Sequence, residues 1–543
     1  MSKGGSGRRP TWGLLLPAIL VAVCTITPVV YLVYRAVSPA PGEAVGGWFE
    51  GGQLRLVWNT LALAFSVLAV VTALAVPAAW LVTGTNLPLR RTLTLMLAMP
   101  LAVPGYVVAY AWLGQGGYGG MLTQWLGRQE NPVQVPRGFV GSLIALSLYN
   151  FPYLFLNLRA AFLELDPSLT QAAQSLGDGR WRVLTRVVLP QLRPAYLAGA
   201  ALVLLHCIAD FGVVSLMRYD TLTYRLYLNI SYQDRTGLAR VALLLLGLSS
   251  TVLAMEMVLL RGLRLDRAGT VRRSPRRTAL GRWALPALAL PLGVFVAGVL
   301  MPALVVAHWM RGLSWAEVSE HFLAEAGWSL KFSGAGALLA TALALPVALL
   351  RARHPSAWSY ALERVPYFGF AMPPLALALS LVFLMRHHGS YAEDGFRFAL
   401  LSGALALHFM AESVGPLRSA LYASSPRLEE ASRGLGVSRV GTFMRVTLPL
   451  LRHALGVSLA LVFLSCMKEL PLTMLLAPEG TRTLAVRLWS ETHEAAFAEA
   501  APRALAVLGI STSFVGLLLL RERGSGARVE RAASGETPIL QGA

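Results

Sequence analysis

The sequence predicts an all-α polytopic membrane protein of about twelve transmembrane helices, arranged as two parallel six-helix repeats. Three observations carry this. Of 543 residues, 55% are hydrophobic and only 14% charged, with a mean hydropathy of +0.57, whereas a soluble domain is roughly 25% charged. Apolar runs of membrane length recur along the whole chain. The second half of the chain also rewrites the first. These facts exclude a disordered chain, a secreted disulfide scaffold and most soluble enzymes. The three cysteines, Cys24, Cys207 and Cys466, lie inside apolar runs and read as small core residues.

A span needs roughly 20 apolar residues to cross about 30 Å of hydrocarbon. Twelve segments qualify: 11–34, 56–82, 92–114, 139–161, 195–217, 238–260, 283–308, 327–350, 366–385, 398–416, 454–477 and 503–520. The first follows Lys3, Arg8 and Arg9 as a signal peptide would, but its apolar run exceeds the roughly 7–15 residues of a signal core. A retained span is expected. Prolines in AMPLAVPGYVVAYAWLG (98–114) and GFAMPPLALALS (369–380) should kink the third span of each half. The tenth segment is the weakest, because it holds His408 and Glu412.

Orientation follows the positive-inside rule. With a cytoplasmic N-terminus, the larger share of the 47 Lys and Arg falls on cytoplasmic loops and tails. Twelve spans then put both termini inside. The formal charge of +19 could suit nucleic acid, but the arginines sit in short loops between apolar runs, so no nucleic-acid partner is expected. The most basic stretch, RGLRLDRAGTVRRSPRRTALGR (261–282), reads as a solvated cytoplasmic linker. It divides the chain into domains 1–270 and 271–543.

Residues 146–217 align with 405–476 at a constant offset of 259, without a gap. Gly177 meets Gly436, Arg186 meets Arg445, Pro190 meets Pro449 and Arg193 meets Arg452. Upstream the offset is 269, where TALAVP (72–77) meets TALALP (341–346) and Pro104 meets Pro373. Six spans per half is an even number, so both halves cross in the same direction and are related by an axis along the membrane normal.

Loops 162–194 and 417–453 carry the clearest repeat. Asp166-Pro167 and Ser425-Pro426 are helix-start signals, a capping residue before Pro at the first helical position. Each short helix should end at Gly177 or Gly436, where glycine suits a left-handed cap. A second helix should follow and stop before Pro190 or Pro449. Such a duplicated helix-turn-helix fits docking to a two-fold symmetric cytoplasmic partner; a belt at the lipid interface is the plainer alternative.

No phosphate-binding loop is present, because none of the three lysines, Lys3, Lys331 and Lys468, follows a glycine. Transport therefore requires a separate ATPase or, alternatively, an ion gradient. Charged groups at membrane depth face a pathway or a partner. Asp210 and Glu469 are equivalent under the 259 offset, and Lys468 adjoins Glu469. These three are the candidate path or gate residues; a structural ion pair of Lys468 with Asp210 or Glu469 is the alternative. Glu412 and His408 are candidates to pair with Arg418. His206, His408 and His387-His388 show no tight ligand spacing, so no metal centre is expected. No catalytic residue is assigned.

QAAQSLG…VVLP (171–190) and EEASRGLG…VTLP (429–449) resemble the "EAA" loop of binding-protein-dependent ABC importers. The resemblance covers essentially the whole chain. It implies the type I ABC importer transmembrane fold in a bacterial inner membrane, contacting membrane lipid, a periplasmic substrate-binding protein and a cytoplasmic ABC ATPase dimer. ATP would be used by that partner subunit, with no cofactor on this chain. The ATPase-coupling residues implied are Gln171, Ala172, Ala173, Gly177 and Pro190 in the first loop. In the second they are Glu430, Ala431, Ser432, Gly436 and Pro449. Gln171 departs from the usual Glu, which Glu430 keeps. PLAVPGYVVAYAW, the DFG at 210–212 and the KELP at 468–471 look like the fused permeases of ferric iron importers. Thiamine, polyamine, sulfate and phosphonate permeases share the loop and match these stretches less well.

Overall fold

The computed structural model describes residues 12–39, 52–165, 167–230, 235–260, 277–311, 313, 315–386 and 393–514. Among them, nine helices are long and apolar enough to cross a bilayer, and two bent pairs bring the number to eleven. The expected twelfth span is helical as far as residue 514, where the described residues end. The boundary at residue 270 lies outside the described residues, as do Asp166, His387 and His388.

The repeat is reproduced element by element. Pro167–Ser175 returns as Pro426–Gly434, Arg180–Val183 as Arg439–Thr442, and Leu189–Ala209 as Leu448–Lys468. The kinks expected in the third spans are near right angles. Arg90–Ala102 meets Gly105–Leu113 at 90°, and Ala357–Ala371 meets Pro374–Met385 at 98°. The cause is local. A residue before proline is pushed out of the helical region, and Val103 before Pro104 has ψ 114°, Met372 before Pro373 ψ 122°.

One expectation fails. The helices after Gly177 and Gly436 do not stop before Pro190 and Pro449. They run on as the fifth span of each half, Trp181–Ala209 and Arg439–Lys468. Proline in a helix clashes with the carbonyl four residues back. Here that residue, Arg186 or Arg445, is the middle of a five-residue π turn, Leu184–Val188 or Phe443–Thr447. The wider turn makes room for the ring and dispenses with the missing N–H. Pro302 uses the same device, following the π turn Val296–Leu300.

Without water to expel, membrane helices pack through small residues that let backbones approach. Gln53–Gly84 packs on Gly138–Glu164 with Ala64, Ala75, Ala78 and Ala79 fully buried. In the second half Trp315–Arg353 packs on Asp394–Ala423, where a Cβ at Gly336 would stand 3.1 Å from Leu405. The two halves interlock. Trp12–Val37 packs on Trp315–Arg353, Ala357–Ala371 and Pro374–Met385 of the second half, and Met301–Trp309 packs on Gly105–Leu113 of the first. Tyr31 donates to the Phe383 carbonyl at 3.2 Å and Trp309 Nε1 to that of Gly114 at 2.9 Å.

Candidate functional site

The two repeated loops are built alike. At the end of Pro167–Ser175, the Asp178 N–H reaches the Ala173 carbonyl and the Gly177 N–H that of Gln174, both at 3.0 Å. In the second loop Val437 reaches Ser432 at 3.2 Å and Gly436 reaches Arg433 at 3.0 Å. This paired bonding requires a left-handed residue, and φ is +88° at Gly177 and +82° at Gly436. The turn leaves an apolar residue standing out of each loop: Leu176 is 87% exposed and its equivalent Leu435 85%. Trp181 and its equivalent Val440 are exposed beside them. Gln171, Ala172, Glu430, Ala431, Gly177 and Gly436 are exposed, Ala173 is half-buried and Ser432 is buried. Pro190 and Pro449 lie in the continuous helices and are also exposed.

The loops differ in anchorage. Arg353, at the end of Trp315–Arg353, donates to Glu429 at 2.8 and 3.0 Å, to Ser424 Oγ at 2.8 Å and to the Leu421 carbonyl at 3.0 Å. The corresponding positions of the first repeat are Gly84 and Thr170, which cannot form an ion pair.

Asp210, Lys468 and Glu469 come together in one cavity of about 180 Å³ lined by both halves. The fifth spans break there in the same way, Asp210 and Glu469 having ψ of 130° and 132°. Asp210 Oδ1 accepts from the backbone N–H of Val213 at 2.9 Å and of Val214 at 3.3 Å. Glu469 Oε1 accepts from Leu472 at 2.9 Å and Oε2 from Thr473 at 3.0 Å. Each carboxylate thus caps the short helix that follows it, Gly212–Leu216 or Pro471–Leu476. Lys468 pairs with neither acid. Its ammonium donates to the Leu101 carbonyl at 3.1 Å, just before the bend of the first half. The expected pairing of Glu412 and His408 with Arg418 is also absent. Glu412 accepts from Ser465 Oγ at 2.8 and 2.9 Å, His408 Nδ1 lies 3.1 Å from the Gly369 carbonyl, and Arg418 binds Glu363. Among the described residues no three His, Cys, Asp or Glu side chains gather as a metal centre would need.

A second cavity, of about 480 Å³, is lined by Tyr227, Leu228 and Ile230 of the first half and by Arg482, Arg487 and Trp489 among others of the second. Phe211 lines the smaller cavity and Trp489 the larger, with ring centroids 5.4 Å apart. Tyr227 closes the group at 4.9 Å from Phe211 and 5.6 Å from Trp489. Trp489 Nε1 is held by Ser215 Oγ at 2.9 Å. The rings form a partition between the two cavities. Sequence reasoning missed Trp489, because its helix, Leu484–His493, has no counterpart of equal length in the first half.

Two stretches of the chain, residues 71–265 and 334–522, match the family model described as binding-protein-dependent transport system inner membrane component. The chain is 27% identical over 507 residues to the Fe(3+)-transport system permease protein FbpB 2 of Haemophilus influenzae, covering 92% of this chain and 96% of that protein. It is 28% identical to the sulfate transport system permease protein CysW of Escherichia coli over 41% of this chain and 76% of that protein. The molybdenum transport system permease protein ModB of Escherichia coli is 29% identical over 28% of this chain and 69% of that protein. With the family's model matched once in each repeat, and with the duplicated loops and paired helix breaks in place, this chain belongs to the binding-protein-dependent transport system inner membrane components and is a multi-pass permease of that family.

Proposed function

We propose that the chain is the membrane subunit of an ATP-driven importer that passes ferric iron from a periplasmic binding protein to the cytoplasm. Both termini face the cytoplasm, and a separate ATPase dimer hydrolyses ATP. The observation that carries this reading is the duplicated loop. Two left-handed glycine turns 259 residues apart each push out one leucine, giving a two-fold partner two like contacts. The preference for iron rests on likeness along nearly the whole chain to a permease named for Fe(3+) transport; likeness to the sulfate and molybdenum permeases covers less of it.

In this reading Gln171, Ala172, Ala173 and Gly177, with Glu430, Ala431 and Gly436, meet the ATPase, while buried Ser432 braces the second loop against Thr442 and Pro190 and Pro449 shape the helices that follow. Closure of the ATPase dimer draws the loops together. The halves then rock about the axis between Asp210 and Glu469, and the partition at Phe211 and Trp489 opens toward the larger cavity. No covalent chemistry occurs on this chain and it holds no cofactor. The test is uptake of radiolabelled ferric iron by cells with and without the gene; equal uptake contradicts the assignment.

A further inference from the structure

The smaller cavity holds more chemistry than the helix breaks use. Gly138–Glu164 and Asp394–Ala423 are equivalent helices under the 259 offset, and each contributes two polar lining residues one turn apart. These are Tyr149 and Tyr153 from the first, and His408 and Glu412 from the second. Residues four apart share a helix face, and 149 maps onto 408 as 153 maps onto 412. Two equivalent faces therefore line one cavity with different donors, two phenols in one half and an imidazole and a carboxyl group in the other.

The cavity's acids are not equally committed. Asp210 Oδ1 and both oxygens of Glu469 are engaged by backbone N–H groups as helix caps. Glu412 receives only the Ser465 hydroxyl, and a carboxylate offers about four lone-pair sites. Tyr106, which lines the same cavity and is 5% exposed, has a buried hydroxyl with no hydrogen-bond partner. A buried hydroxyl left unpaired is costly and marks a place where a ligand supplies the missing contact. Lys468, the only Lys or Arg among the lining residues, is held by the Leu101 carbonyl.

We propose that Tyr149, Tyr153, His408 and Glu412, with Tyr106 beside them, form a transit site for a hard trivalent cation; this rests on the ferric reading above. Carboxylate and phenol oxygens are hard donors that suit such an ion. A path must bind its cargo strongly enough to admit it and weakly enough to release it. A set split between two moving halves, without three clustered His, Cys or acid ligands, meets that need. The two helices lead directly into the loops beginning at Pro167 and Pro426, so movement of the loops changes the separation of the two faces. The ion stays ferric throughout. No electron moves, and each phenol that binds it gives its proton to water.

The test uses the complete complex in proteoliposomes, with labelled ferric iron delivered by the binding protein. Glu412→Gln and the double variant Tyr149→Phe, Tyr153→Phe should each lower initial uptake at least tenfold. ATPase stimulation by the loaded binding protein should stay within twofold of wild type, and Glu412→Asp should restore uptake. Wild-type complex trapped with ATP and vanadate should show the visible absorption of ferric phenolate, and the double tyrosine variant should lack it. Wild-type uptake in both variants, or no such absorption in trapped wild type, overturns the transit site. A wild-type complex that moves sulfate or molybdate and no iron overturns the ferric reading itself, and the transit site with it.

Discussion

Asp210 and Glu469, 259 residues apart, perform the same act: each ends its span and turns its carboxylate onto the backbone N–H groups three and four residues further on. The C-terminal end of each fifth span is thereby a break with a built-in cap. Such a cap contributes about 1–2 kcal/mol. Asn caps as well as Asp, whereas Ala does not. Asp210→Ala and Glu469→Ala should therefore reduce transport more than protein abundance, and Asp210→Asn should keep most of it. Transport assays on membranes with matched permease levels check this. Equal loss in Asp210→Asn and Asp210→Ala would show that the charge itself is needed.

Gly177→Asp and Gly436→Asp address the loops. A non-glycine residue in the left-handed region costs about 1–2 kcal/mol, too little to unfold the bundle. A Cβ at either site meets nothing within 4 Å, so the chain itself has room for it. Membrane insertion should survive, and ATP hydrolysis should separate from uptake. Wild-type stimulation of the ATPase by the loaded binding protein in both variants would contradict the docking role.

Arg353 and Glu429 tie the second loop to a long span through an ion pair that Gly84 and Thr170 of the first repeat cannot form. Arg353→Ala strips Glu429 of its partner and the Leu421 and Ser424 groups of their donor. A loss of about 1–3 kcal/mol is expected, read as a lower thermal midpoint of the purified permease. Uptake per ATP hydrolysed should also fall. The exchange Arg353→Glu with Glu429→Arg should recover part of both.

Trp489 fills the partition between the cavities. Trp489→Ala removes its contacts to Phe211 and Tyr227 and the bond to Ser215. The expected outcome is a several-fold rise in passive efflux of labelled cargo from loaded vesicles without ATP. Unchanged efflux would remove the partition from the path.

Much of this was legible in the chain, because exact repetition constrains geometry. The offset linking Gly177 to Gly436 and Asp210 to Glu469 survives as identical turns and breaks. What stayed hidden depends on local backbone geometry or on contacts distant in sequence. Pro190 and Pro449 read as helix stops, since a π turn leaves no mark in composition. Lys468 read as a path residue or, alternatively, as half of an ion pair, while its hydrogen-bond partner is a carbonyl 367 residues away at Leu101. The convergence of Tyr149, Tyr153 and Glu412 follows only from the docking of the two halves, and the packing of Trp12–Val37 on the second half could not be read from a first span alone.

The most direct measurement places purified permease in vesicles and follows labelled ferric iron, with ATPase subunit, binding protein and ATP supplied together or withheld one at a time. The account predicts uptake only when all three are present. Accumulation driven by a proton or sodium gradient without the ATPase would contradict it.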